Sequence, residues 1–374
     1  MSGWRGEAQT SAAIRLHPPV ALATTLRVLI HLAPYATITA LSWAVYGHLF
    51  QSPLLTTPAW DGQHFISIAA HGYPTIIRNY SHLAYFPGLP LLIHFAHYFT
   101  SSWNLAAFVV SVVAGAVFVC CSAEILYRRY GPHTAMRGAI LLSLAPGAFL
   151  YGLAYSDVVA LALTSATFLA LASISYWRFH FAAAFGFLAT LTSPFFVLPL
   201  CLVMLVESWR QTRRASTSLL STFVTGLGAI EYLAYAGAIT GRWDAWWVAE
   251  KAWGQGIHFS APINWLHPSN PASYIPATEC VTFAIVVLGY LAMSRARVPL
   301  TWYLYTAPII FLGMFDGGNW LNPRILLDAF PLLLAIAVKV RGRWFIPVCL
   351  ISAFLMQAFL ILYTWHWANL IAQP

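Results

Sequence analysis

Leu83-Ala-Tyr-Phe-Pro-Gly-Leu-Pro-Leu-Leu-Ile-His-Phe-Ala-His-Tyr-Phe99 is the stretch on which the threading of this chain turns. It is apolar enough to cross a bilayer, which takes about 20 mostly apolar residues. If it crosses, the connection Tyr127-Arg128-Arg129-Tyr130, with Arg137, falls outside, and the excess of Lys and Arg in cytoplasmic loops is reversed for most of the chain that follows. If it lies along the interface, every later basic loop falls inside. Pro87, Pro90, His94 and His97 suit an interfacial helix with one wet face better than a lipid-facing span. The interfacial reading is adopted.

The rest of the chain fits around that choice. Its 374 residues are 60% hydrophobic and 8% charged, with a mean hydropathy of +0.70, whereas soluble domains carry roughly 25% charged residues. The composition specifies an all-α integral membrane protein, one domain over residues 1–374, with about 11 transmembrane segments. The expected spans cover 24–49, 104–126, 136–153, 157–176, 180–191, 194–208, 217–239, 277–293, 299–315, 325–338 and 344–365. The first 20 residues are too polar for a signal peptide, so the first span stays and the N-terminus is cytoplasmic.

In this threading only Arg78, Arg242, Lys251 and Arg324 of the 19 basic residues lie outside. The net charge of +8 therefore reports orientation before it reports an anionic partner, and nucleic acid is excluded for want of a basic stretch with an aromatic platform. Asp61, Asp157, Asp244, Glu250, Glu279 and Asp316 fall on or near the outer side. Two sizeable outer loops result: 50–103, and 241–277 with Trp243, Trp246, Trp247, Trp253 and Trp265. The cysteines Cys120, Cys121, Cys201, Cys280 and Cys349 form no CxxC pair and read as packing residues.

Polar chemistry concentrates in Trp60-Asp-Gly-Gln-His-Phe-Ile-Ser-Ile-Ala-Ala-His-Gly-Tyr73. Pro58 before it and Gly72 within it bound a short helix, on which Asp61 and His64 share a side. A carboxylate there can take a proton from a hydroxyl nucleophile; as a first-turn acid it is equally favoured by the helix dipole. His64 and His71 can hydrogen-bond a phosphate or an acceptor, pack, or with Asp61 hold a metal.

Trp60-Asp61-Gly62 with His64, Ile68-Ala69 and Gly72-Tyr73, then Tyr85-Phe86-Pro87-Gly88-Leu89-Pro90-Leu91-Leu92, resembles the signature of the PIG-V-type mannosyltransferases, within the GT-C class. Tyr155-Ser156-Asp157 is similar to the family's Tyr-Ser-Glu turn, and Pro323-Arg324 with Leu326-Leu327-Asp328-Ala329-Phe330-Pro331 to its late arginine-containing span. Thr192-Ser193-Pro194 departs from the pattern, since relatives often have Thr-Arg-Ser or Thr-Arg-Pro there.

The resemblance implies an inverting transfer from a polyprenyl-phosphate mannose donor to a hydroxyl of a glycolipid or glycan acceptor on the extracytoplasmic face of a bacterial plasma membrane. It implies Asp61 as the general base and needs neither metal nor cofactor. Arg324 can take the donor phosphate bidentately, or act as an interfacial anchor or the partner of Asp328 or Asp316. Asp157 orients the acceptor or caps a helix. Trp60 and Tyr73 stack on a sugar or anchor the short helix, and His258, in the second outer loop, is a further candidate contact. The rival readings are a lipid or sugar transporter or flippase, in which buried charges line a route, and an inactive homologue that serves as an assembly partner.

Overall fold

A computed structural model describes residues 18–49, 53–77, 81–173, 175, 177–254, 275–315 and 321–371. Among the described residues all regular structure is helical. The helices are α1 Pro18–Leu49, α2 Pro53–Thr56, α3 Asp61–His71, α4 Gly88–His97, α5 Trp103–Tyr130, α6 Pro132–Ser143, α7 Ser156–Leu171, α8 Arg178–Thr192, α9 Val197–Thr212, α10 Ala215–Thr240, α11 Ala245–Ala252, α12 Ile275–Ala296, α13 Leu300–Phe315, α14 Pro323–Asp328, α15 Pro331–Lys339 and α16 Phe345–Ile371. Three-residue 3-10 turns lie at His82–Ala84, Pro194–Phe196 and Gly342–Trp344, and a longer one at Ala148–Gly152.

Six of the described helical segments are long and apolar enough to cross a membrane: Thr24–His48, Trp103–Tyr130, Pro194–Thr212, Ala215–Thr240, Thr278–Ala296 and Gly342–Leu362. Their outward faces carry large apolar side chains, such as Leu219, Leu220 and Phe223 on α10 and Ile346, Leu350 and Phe354 on α16. A helix apolar on both its packed and its free face belongs in lipid.

Two of the expected spans are interrupted. Residues 136–153 form α6, whose 12 residues rise only about 18 Å, followed by an irregular segment and the turn Ala148–Gly152. Pro146 cannot continue the helix, since it lacks the amide hydrogen and disfavours helical geometry in the residue before it. The freed backbone groups find partners, as a low-dielectric surrounding requires. Ser352 Oγ donates to the Leu144 carbonyl at 2.8 Å, Ser111 Oγ to that of Leu153 at 2.7 Å, and Thr57 Oγ1 to that of Gly152 at 3.1 Å. Residues 325–338 likewise break at Pro331 into α14 and α15. At that break Phe330 is buried edge-on against Phe118, Phe168 and Tyr305, at centroid distances of 5.3, 5.9 and 5.5 Å. This aromatic plug fixes where α14 points.

The stretch Leu83–Phe99 does not form a span. It folds as a 3-10 turn and then α4, whose 10 residues rise about 15 Å, half the hydrocarbon thickness of about 30 Å. Leu89 and Ile93 are fully buried, while Leu91, Leu92, Phe95 and Phe99 are exposed. The free face therefore carries these apolar side chains together with the exposed His94 and Tyr98, a mixed face that suits the membrane interface. The histidines that suggested it make contacts within the protein: His94 Nδ1 lies 2.7 Å from the Ala69 carbonyl, and His97 stacks on Trp103 at 3.7 Å.

Two cores organise the molecule. The larger runs through α5, α6, α7, α13, α14 and α15. The smaller joins Leu83, Ala84 and Phe86 to Ala229, Tyr232 and Ala236 of α10 and to Ala245 and Ala249 of α11, and so clamps the two segments expected as outer loops to each other. The Tyr232 hydroxyl donates to the Leu83 carbonyl at 2.8 Å.

Candidate active site

The turn before α3 is built tightly. Ala154 N donates to the Thr57 carbonyl at 3.1 Å, and a Cβ on Gly62 would fall 2.6 Å from that same carbonyl oxygen, so only glycine allows the approach. Trp60 takes a positive φ of 55°, a conformation that costs a non-glycine residue on the order of 1–3 kcal/mol and clusters at functional sites. Its reward is the position of Asp61, the first residue of α3, where the helix dipole favours a carboxylate.

Asp157 occupies the first turn of α7, so two helix N-termini converge on the same place. Arg324 enters from α14, whose start is capped by Asn322: its side chain accepts from the amides of Arg324 at 2.9 Å and Ile325 at 3.2 Å. The guanidinium joins the two carboxylates, with Nε 2.8 Å from Asp157 Oδ1 and Nη1 3.5 Å from Asp61 Oδ2. It also lies over the Tyr155 ring, 5.3 Å from the centroid. Side-chain exposure grades from 1% at Asp157 through 18% at Arg324 to 32% at Asp61. Asp157 is thus the buried holder of Arg324, and Asp61 is the carboxylate with a free side. Asp328, four residues after Arg324, is fully buried behind the cluster.

Tyr85 closes the other flank, its hydroxyl donating to Asp61 Oδ1 at 3.3 Å. Burial pushes the Asp61 carboxyl above the ordinary carboxylate range; Arg324 opposes the shift, Asp157 adds to it and the Tyr85 hydrogen bond opposes it. His64 stacks behind Tyr85 at 5.1 Å and meets His82 and Trp253 edge-on. Burial, with His82 adding, lowers its pKa to about 4, so the imidazole is neutral near pH 7. It can offer a hydrogen bond but no positive charge.

These groups open on a cavity of about 380 Å³, within the range of small-molecule sites. Asp61, Tyr85 and Arg324 line it, with Ser156, Thr192 and Ser193, and the α11 segment contributes Trp246, Trp247, Glu250 and Trp253. Pro194, Phe195, Phe311, Leu312 and Phe315 make an apolar wall from α13 and the turn before α9.

Of the residues singled out from sequence, Asp61 and Arg324 line the cavity, and Asp157 and His64 stand directly behind them. Tyr73 does not line it: its hydroxyl donates to the Tyr85 carbonyl at 2.7 Å, and its ring meets Tyr232 and Tyr235. Trp60 packs at the edge of the large core. His258 lies outside the described residues. Among the described residues no cluster of three His, Cys, Asp or Glu side chains is arranged to hold a metal ion. Tyr85 and Glu250 were not singled out as site residues. The signal for Glu250 was available, since Trp246, Glu250 and Trp253 are spaced four and three apart on one helical face.

No protein-family model matches the chain, and no curated protein matches it in sequence. Solved structures do. The crystal structure of ArnT from Cupriavidus metallidurans bound to undecaprenyl phosphate superposes with a TM-score of 0.56 at 12% identity, covering 84% of this chain and 61% of that one. The apo ArnT structure gives 0.56 at 14% identity, covering 86% and 61%. The chain thus spans about three-fifths of the length of ArnT. At such identities the likeness shows the fold alone, the all-helical architecture that this chain shares with the ArnT structures.

Proposed function

We propose that this protein is an inverting glycosyltransferase of the PIG-V type that moves mannose from a polyprenyl-phosphate mannose to a hydroxyl of a lipid-linked or glycan acceptor. The observation that carries the reading is the single cavity in which Asp61, a carboxylate with a free side, stands 3.5 Å from a guanidinium also held by Asp157, next to an apolar wall. The undecaprenyl phosphate bound to ArnT supports a lipid-phosphate ligand for the shared fold.

The chemistry follows from the arrangement. The acceptor hydroxyl donates its proton to Asp61 as its oxygen attacks the anomeric carbon. The bond from that carbon to the phosphate oxygen breaks, and both its electrons leave on the phosphate, whose growing charge Arg324 stabilises. Attack opposite the leaving phosphate inverts the anomeric centre. The elevated pKa of Asp61 makes it a stronger base than a solvated carboxylate. Asp157 keeps Arg324 in place, and the wall of Phe195, Phe311 and Phe315 receives the isoprenoid.

The orientation reading places this cavity at the extracytoplasmic side. From Asn104, whose side chain donates to the Leu54 carbonyl near α3, α5 runs its 28 residues, about 42 Å, to Arg128 and Arg129. The basic connections therefore gather at the far end of the bundle, which under the positive-inside rule is cytoplasmic.

The test is transfer by the purified protein in lipid nanodiscs with radiolabelled polyprenyl-phosphate mannose and a membrane-extract acceptor. Label is expected to leave the lipid phosphate, and Asp61→Asn is expected to slow that step by roughly 10²–10⁴. Undiminished turnover in Asp61→Asn would overturn the assignment of the base. A wild-type protein that consumes none of a panel of polyprenyl-phosphate sugars would overturn the reaction.

A further inference from the structure

The cavity has a side that the transfer chemistry above does not use. Trp246, Trp247, Glu250 and Trp253, all from α11 and the residue after it, line it together with Tyr85 and Phe86. Ala245 and Ala249 seat the adjacent face of α11 in the smaller core against α10 and the turn His82–Ala84, and Trp246 and Trp253 pack at the edge of that core, so this wall is held by packing. Trp253 meets the rings of His64 and Tyr85 edge-on at 5.1 and 5.8 Å. The Trp246 indole N–H is buried without a hydrogen-bond partner. Among the described residues lining the cavity the charged ones are Asp61, Glu250 and Arg324.

The functional assignments account for two of those charges and leave Glu250. A carboxylate among indoles suits a particular chemistry. The C–H face of a sugar ring stacks on an indole, while a carboxylate accepts from two neighbouring hydroxyls at once and an indole N–H donates to a ring or hydroxyl oxygen. With Asp61 ionised, two carboxylates face one guanidinium, so an anionic ring is disfavoured there. At about 380 Å³ the cavity has room for a single ring with its phosphate. Because Arg324 is the phosphate partner in this reading and lines the same cavity, that ring is the one attached to the phosphate.

We propose that α11 forms the subsite for the transferred sugar, with Glu250 accepting hydrogen bonds from vicinal hydroxyls of an uncharged monosaccharide and Trp253 and Trp246 forming its stacking wall. This rests on the reading of the cavity as a lipid-phosphate sugar site. A site built to accept hydroxyl protons discriminates strongly against rings that lack them. Glu250 is then a specificity residue of the donor, and Asp61 keeps the reaction itself.

The test compares two probes on the full-length protein in nanodiscs: polyprenyl-phosphate mannose and the same polyprenyl phosphate without sugar. Wild type is expected to bind the sugar-bearing lipid at least tenfold more tightly. Glu250→Ala is expected to erase that preference while leaving affinity for the sugar-free lipid within twofold, and Glu250→Gln, which keeps the shape but accepts less strongly, to fall between. A donor bearing a uronic acid is expected to bind wild type no better than the sugar-free lipid.

An unchanged preference in Glu250→Ala would overturn the proposal, as would equal loss of both lipids, which marks a structural role. A change confined to the KM of the acceptor would also overturn it. If wild type prefers the sugar-bearing lipid through Glu250 but transfers nothing, the subsite stands and the proposed reaction falls. If it transfers but Glu250 is silent, the reverse holds.

Discussion

Asp61 is pulled in opposite directions by its neighbours, and the sign of each pull can be read from activity. Burial and Asp157 raise its pKa, whereas Arg324 and the Tyr85 hydroxyl lower it. The acid limb of kcat/KM, which reports the base in the free enzyme, is expected above the ordinary aspartate value of about 3.9. Tyr85→Phe removes a lowering influence, so its limb moves to higher pH. Asp157→Asn removes a raising one and frees Arg324 for Asp61, so its limb moves to lower pH. Shifts in the same direction for both variants would contradict the cluster. The same elevation has a consequence for stability. A carboxyl whose folded pKa lies above its unfolded value contributes stability that is present below the unfolded pKa and lost as pH rises through the folded one. Near neutral pH ionised Asp61 is therefore a cost to the fold, and Asp61→Asn is expected to keep or raise the thermal midpoint while transfer collapses. Arg324→Lys keeps the charge but loses the fork that reaches Asp157 and Asp61 together. It is expected to raise the donor KM at least tenfold, measured by initial rates.

At the scale of elements, the site depends on close approaches that only glycine allows. A Cβ on Gly88, at the start of α4, would meet Thr192 Oγ1 at 2.1 Å and Thr192 Cα at 2.7 Å. The end of α8 therefore abuts the Phe-Pro-Gly-Leu-Pro segment directly. Gly88→Ala must push the two apart at a cost typical of overpacking, about 1–3 kcal/mol, read as a lowered unfolding midpoint in detergent. Thr192→Ala relieves only the hydroxyl clash, so it is expected to recover part of that loss and not all. An unaltered midpoint in Gly88→Ala would show that the junction is looser than drawn. The same contact explains where the departure Thr192-Ser193-Pro194 falls: all three residues line the cavity, so the arginine implied by the resemblance would have stood in its wall.

At the scale of the whole molecule, the separation of charge from chemistry gives the orientation a direct test. Cysteines introduced at Ser102 beside α4 and at Gln211 beside Arg210 lie at opposite ends of the bundle. In intact cells a membrane-impermeant maleimide is expected to label the first, and the second only after permeabilisation, in a background lacking the native cysteines. The reverse pattern would overturn the extracytoplasmic placement.

The sequence by itself determined the class of protein and pointed to the residues of the candidate site, because composition, apolar run length and a charged residue in an apolar chain are local properties. Asp61, Asp157 and Arg324 stand out for that reason. Tertiary structure alone decided that they meet, since 96 and 167 positions of chain separate neighbours in the cluster and no periodicity reports such a contact. It also decided that residues 136–153 and 325–338 are broken helices, because hydropathy sums over a window and does not register a break at a proline; in the first of them the carbonyls of Leu144, Gly152 and Leu153 are satisfied from elsewhere by Ser352, Thr57 and Ser111. Leu83–Phe99 shows both limits at once. Its prolines and histidines argued against a span, and packing settled which face is free: His97 stacks on Trp103 of α5, while His94 touches the Ala69 carbonyl of α3 yet stays exposed beside Leu91, Leu92, Phe95 and Tyr98.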